Sequence, residues 1–120
     1  MRVYVGKLNS TSNTADKSSK TAVDEVISFA FDGGFREGST AVLVGQWTKS
    51  YEGHPKANYN WSGTITKYDQ SSGEIEIFTG EDTYYCFTGN VSGNTMKLDM
   101  FKQENRSEYG SAELQLKFTE

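Results

Sequence analysis

The chain has a single cysteine, a single histidine and a single proline among 120 residues, and no long apolar run. Each scarcity closes off a class of protein. With Cys86 alone an intramolecular disulfide is impossible, and no Cys/Cys or Cys/His spacing of a zinc site exists. No stretch approaches the roughly 20 apolar residues of a membrane-crossing helix, so no membrane span is expected. Basic residues are neither numerous nor clustered: the formal charge is −4, with both signs interspersed. A phosphate-binding surface needs grouped Lys and Arg, so no nucleic-acid partner is expected. The first residues, Met1 to Leu8, alternate like a strand and lack the apolar core of a secretory signal. A soluble cytoplasmic chain or a mature secreted one are both compatible with this. Triplets of the N-x-S/T type at Asn9, Asn60, Asn90 and Asn105 are what a chain rich in Asn, Ser and Thr produces by chance, and matter only in a secretory context.

What the chain does have is rhythm. From Thr40 onward, short segments with period-two alternation are punctuated every ten residues or so by Gly, Asn, Ser or Asp turns. The last is the cleanest. Ala112, Leu114, Leu116 and Phe118 share one face, and Ser111, Glu113, Gln115, Lys117 and Thr119 the other. Strands are expected at Met1–Leu8, Thr40–Lys49, Asn60–Tyr68, Gly73–Thr79, Thr83–Val91, Thr95–Phe101 and Ala112–Phe118. Ser92-Gly93-Asn94 reads as a compact hairpin turn. Asn9 to Lys20 holds almost nothing apolar and reads as a mobile surface loop. Thr21 to Phe31 fits two patterns. As a strand it aligns Val23, Glu25, Ile27, Phe29 and Phe31. As a helix it has a stripe of Ala22, Val23, Val26, Ile27, Ala30 and Phe31, a Thr21/Asp24 cap and a Gly33-Gly34 stop. The β-branched and aromatic content favours the strand.

One domain of this length buries roughly two-thirds of its unfolded surface and folds without staples. About eight strands leave little room for two sandwich layers with long crossovers. A single-domain all-β antiparallel up-and-down barrel is the economical arrangement, because closure removes the sheet edges. One short helix enters only if residues 21–31 take the helical reading. The inward candidates are Val3, Val5, Ile27, Phe29, Leu43, Trp47, Trp61, Ile65, Ile75, Ile77, Tyr85, Phe87, Met96, Leu98, Met100, Leu114, Leu116 and Phe118.

Gly45-Gln46-Trp47 is similar to the short G-x-W signature of lipocalins and related ligand-binding barrels. In that family the triplet sits on the first barrel strand and its Trp closes the barrel floor, whereas about two strands precede it here. The resemblance implies a barrel with a ligand cup.

Tyr51 to Trp61 is the most unusual segment. It carries the only His and the only Pro, with Tyr51, His54, Asn58, Tyr59, Asn60 and Trp61. Flat aromatics and amides on a loop held by a rigid sheet suit a sugar ring or a planar ligand. His54 has no identifiable acid–base partner by spacing. Cys86, between Tyr85 and Phe87, has no cationic neighbour in sequence and reads as a structural thiol. Glu74 and Glu76, followed by Glu81 and Asp82, alternate with Ile75 and Ile77, which places the first pair on a solvated face more readily than across a hydrolytic cleft.

These features point to a non-catalytic binding protein. Its expected ligand is a small apolar or amphipathic molecule contacting Trp47, Tyr85, Phe87, Met96 and Met100, with Tyr51, His54, Asn58, Tyr59 and Trp61 at the mouth. The alternative is a lectin-like module that stacks a glycan on its exposed loop aromatics. No cofactor and no metal are expected. An enzyme of unrecognised type and self-association into a homo-oligomer are the remaining options.

Overall fold

The computed structural model is a closed antiparallel barrel in which each strand pairs with its successor and the eighth returns to the first. The strands are β1 (Arg2–Thr11), β2 (Ala22–Phe31), β3 (Thr40–Trp47), β4 (Asn58–Tyr68), β5 (Glu74–Thr79), β6 (Tyr85–Ser92), β7 (Thr95–Lys102) and β8 (Glu108–Thr119). The structure describes residues 1–11, 22–47, 58–79, 85–102 and 108–119; at 10–11, 22–25, 46–47, 58–59, 102 and 108–109 it describes the backbone alone. No helix occurs among the described residues, and the ambiguous segment is strand β2, paired on both sides from Glu25 to Phe31. The helical stripe would have buried only one side of that segment, whereas the barrel provides hydrogen-bonding neighbours at both edges.

The expected loop Asn9 to Lys20 is shorter than its composition suggests. Asn9, Ser10 and Thr11 continue β1 and pair with Asp24, Val23 and Ala22. Polar side chains there do not prevent a backbone ladder, since pairing needs only N–H and C=O groups. Residues 12–20 lie outside the described residues, as do Thr48 and Lys49 after β3 and Thr83 before β6.

The described inward positions are apolar apart from Thr79 at the end of β5, with Ile27, Phe29, Phe31, Leu43, Ile65, Ile77, Phe87, Met96 and Leu114 fully buried. On β1 the expectation is corrected. Tyr4 and Leu8 are buried, while Val3 and Val5 sit half-buried on the outer wall. Met1 to Leu8 is apolar on both faces, so β-branched residues mark the strand without marking its side. Gly6 decides the side. It lies between Tyr4 and Leu8, and a Cβ there would run into the Glu113 carbonyl and the Leu114 backbone, so β1 and β8 approach closely only with glycine.

A second correction concerns the last strand. Leu114 is fully buried and Leu116 packs against the core, but Phe118 is 49% exposed. Tyr4 pairs with Leu116, whereas Val3 pairs with Phe118, so one extra residue is accommodated on β8. Such a bulge reverses the alternation beyond it. A similar shift between Ile65 and Lys67 turns Tyr68 toward the core opposite Ile75.

One end of the barrel is plugged by aromatic side chains. Tyr4 meets Phe31 edge-on at 6.1 Å, Phe31 meets Phe35 edge-on at 5.0 Å, and Phe35 tilts against Tyr68 at 5.5 Å. The Arg2 guanidinium sits 5.1 Å from the centre of the Phe35 ring, a cation–π contact that seals the plug from outside. Burial pushes the Tyr4 phenol above its ordinary pKa, with Arg2 acting in the opposite direction. Two of the connections at this end are tight. Gly93 takes φ 60° in the expected hairpin between β6 and β7, and Gly73 takes φ 82° where its carbonyl accepts the Val91 N–H at 2.8 Å.

Candidate functional site at the open end

Up-and-down topology sends successive connections to opposite ends. Residues 12–21, 48–57, 80–84 and 103–107 all link strands at the end opposite the aromatic plug. Any ligand site that uses the segment Tyr51 to Trp61 is therefore at this end, where β1, β3, β5 and β7 finish and β2, β4, β6 and β8 begin.

Two of the candidate residues meet there. Trp61 stacks on Tyr85 with ring centroids 5.2 Å apart and planes 14° from parallel. Trp61 is opposite Leu43 in the β3/β4 register and Tyr85 is opposite Thr79 at the end of β5. The stack thus spans from β4 to β6 over the end of the short strand β5. The buried Thr79 hydroxyl donates to the Tyr85 carbonyl at 3.0 Å and ties down the start of β6. Both rings are partly buried and pack against the core. A parallel pair of this kind is worth about 0.5–1.5 kcal/mol beyond its buried area, so it is an ordered platform.

Beneath the platform lie buried core side chains. Phe87 and Met100 are register partners, and Phe87 meets Phe29 edge-on at 5.1 Å. Phe29 in turn stacks on Phe31 at 5.7 Å, so aromatic contact continues from there into the plug. Met96 is also fully buried, but it pairs with Val91 and Leu114 next to the tight hairpin, far along β7 from the open end. Phe87, Met96 and Met100 are thus core side chains, and among the described residues the Trp61/Tyr85 pair joins the core to the rim.

The other candidates are placed only in part. Trp47 is the last residue of β3, with its backbone opposite Glu25, and Asn58 and Tyr59 open β4 opposite Gln46 and Gly45. Tyr51 and His54 lie outside the described residues. Gly45 and Trp47 therefore belong to the open end. The floor role that the lipocalin signature assigns to its Trp is filled here by Phe35, Tyr68, Phe31 and Tyr4. The alternation did not single out Phe35 and Tyr68. A lone Phe in the Gly-rich turn from Asp32 to Gly38 was the available signal for the first, and no signal announced the bulge that turns the second inward.

The outer wall carries the charged groups. Glu74 is exposed, and Glu76 accepts a hydrogen bond from the Thr66 hydroxyl at 2.9 Å. A shallow cleft of about 430 Å³ crosses β7, β8 and β1, where Glu113 stands in register with both Lys7 and Lys97. Cys86 is fully buried in a cross-strand row between Phe78 and Phe101. Among the described residues, no group of three His, Cys, Asp or Glu side chains could hold a metal ion. Compared with known protein families and with curated proteins, the chain matches none.

Proposed function

We propose that the barrel is a non-catalytic binding protein that takes a small apolar or amphipathic ligand at its open end. The observation that carries this reading is the Trp61/Tyr85 stack, an ordered, partly exposed aromatic surface that continues into a buried aromatic core. Aromatic surfaces flanked by a few polar groups are where small ligands bind. The opposite end is closed by the Phe35 cluster, which directs the reading to the end where Trp61 and Tyr85 stack. Trp47, Tyr51, His54, Asn58 and Tyr59 are the proposed rim contacts, with Tyr85 beside Trp61. Phe87, Met96 and Met100 support the site from below, and a ligand reaches them only if the packing beneath the stack opens.

The burial of Phe87, Met96 and Met100 also favours a second reading. A ligand confined to the rim rests on ring faces, as a sugar does on a lectin-like surface, with Asn58 and Asn60 supplying hydrogen bonds. Binding is tested with Trp47→Phe, which leaves Trp61 as the only tryptophan. A panel of lipophiles and a glycan array are titrated against this protein, and against the same background with Tyr59→Ala, Asn58→Ala or Tyr85→Ala. The cup reading predicts lipophile binding that quenches Trp61 and weakens with Tyr85→Ala. Glycan binding that disappears with Tyr59→Ala favours the lectin. Binding that no rim variant alters would move the site elsewhere.

A further inference from the structure

We propose that Thr79 is a positioning residue for the ligand surface at the open end: its buried hydroxyl, acting through the Tyr85 backbone, sets the Trp61/Tyr85 stack. The consequence for a ligand rests on the binding function proposed above. The consequence for the stack does not.

Among the described residues, Thr79 is the one serine or threonine that is fully buried. It follows Ile75 and Ile77 on the inward face of β5, where valine would fill the same space. The hydroxyl is what threonine adds. A buried hydroxyl is costly unless it is hydrogen-bonded, and this one donates to the Tyr85 carbonyl at 3.0 Å. The bond joins the last residue of β5 to the first of β6, which are register partners. It closes the mouth of the connection at the residue whose ring forms half of the stack.

Gly63 accounts for the direction of the hydroxyl. It is the register partner of Thr79 on β4, and a Cβ there would lie 3.3 Å from the Thr79 methyl and 2.8 Å from the Phe78 carbonyl oxygen. The methyl therefore occupies room that a glycine leaves. With the methyl set against β4, the stiff first torsion of a β-branched side chain holds the hydroxyl toward β6. Gly63, Thr79 and Tyr85 thus form one cross-strand row. Trp61, two residues before Gly63, closes over that row onto Tyr85 at 5.2 Å and 14°. Without the hydroxyl the start of β6 is released, and the ring geometry on which the stacking attraction depends is released with it.

The test uses the Trp47→Phe protein, in which Trp61 alone reports. Thr79→Val and Thr79→Ser are compared in it, each checked for cooperative melting. Thr79→Val should shift Trp61 emission to the red and diminish the near-ultraviolet circular dichroism of the stack. It should also weaken binding of phenylnaphthylamine, a neutral aromatic lipophile, by about fivefold, the effect of losing one hydrogen bond. Thr79→Ser keeps the donor and should recover both spectra and most of the affinity. If Thr79→Val does not fold, Thr79→Ala against Thr79→Ser repeats the comparison, because those two differ in the hydroxyl alone. Folded variants without the hydroxyl whose spectra match the parent overturn the proposal, and so does a Thr79→Ser that behaves like Thr79→Val. An affinity that changes by less than about twofold while the spectra move overturns the link from stack to ligand. A parent protein that does not bind the lipophile counts against the binding function, and the spectra then decide the role of Thr79 by themselves.

Discussion

Leu114→Ala and Phe118→Ala separate the observed register from simple alternation, because a uniform period of two puts both residues in the core. Leu114 is fully buried, opposite Gly6 on one side and Met96 on the other. Truncation removes roughly three methylene equivalents at about 0.8 kcal/mol each, about 2.5 kcal/mol of transfer free energy. A cavity contribution adds to this. The neighbour across β1 is backbone already in close approach at Gly6, which cannot move inward to fill the space. The expected loss is therefore about 3–4 kcal/mol, within the usual range for buried leucines. Phe118, half-exposed beyond the bulge, should lose less than about 1 kcal/mol. Leu116, partly buried between them, should fall in between. Urea denaturation at low micromolar protein, below any self-association, reads all three through the midpoint at constant slope. A Phe118→Ala loss equal to that of Leu114→Ala would refute the bulge. A Leu114→Ala loss below about 1 kcal/mol would refute the packing argument.

Gly89→Ala should cost about 1–3 kcal/mol in the same assay, since the new methyl meets the Lys97 carbonyl and Leu98 backbone across the β6/β7 pair; a neutral result would mean that those strands stand further apart. The Asp69 carboxylate accepts from the Ser71 hydroxyl at 2.7 Å and the Ser71 amide at 2.9 Å, which hold its pKa below the ordinary aspartate value. Its contribution to stability is present above the ordinary value of about 3.9 and fades as pH falls through the lower folded value, so Ser71→Ala should raise the NMR-monitored pKa of Asp69, and an unmoved titration would dismiss the turn. The Tyr4 phenol, with a raised folded pKa, should contribute stability that is complete below about pH 10 and lost as pH rises through the folded value. Tyr4→Phe should remove one phenol that titrates above the ordinary tyrosine value from the ultraviolet phenolate titration, and an unchanged profile would contradict its burial.

Much of the barrel is legible in the amino-acid order because burying one face of a strand imposes a period of two, visible locally. Ile75 and Ile77 against Glu74 and Glu76, or Met96, Leu98 and Met100 against Lys97 and Asp99, announce both the strand and its inward side. Closure follows from counting strands without room for crossovers. The composition of 21–31 likewise favours a strand over a helix. These inferences need only the residue and its near neighbours.

Long-range pairing decided the rest. Which side of Val3-Tyr4-Val5 faces inward depends on how close β8 lies to Gly6, and β8 is more than a hundred residues away in the chain. The orientation of Phe118 and Tyr68 depends on a single inserted residue in a two-strand register, which leaves no mark on the alternation of either strand taken alone. Trp61 and Tyr85 meet because β5 ends short and lets β4 reach β6 above it. Phe35 becomes a floor because Tyr4, Phe31 and Tyr68 converge on it from three strands. Periodicity is a property of one strand and so can be read from sequence, whereas register, bulges and convergence are properties of pairs and of closure, and exist only once the barrel has formed.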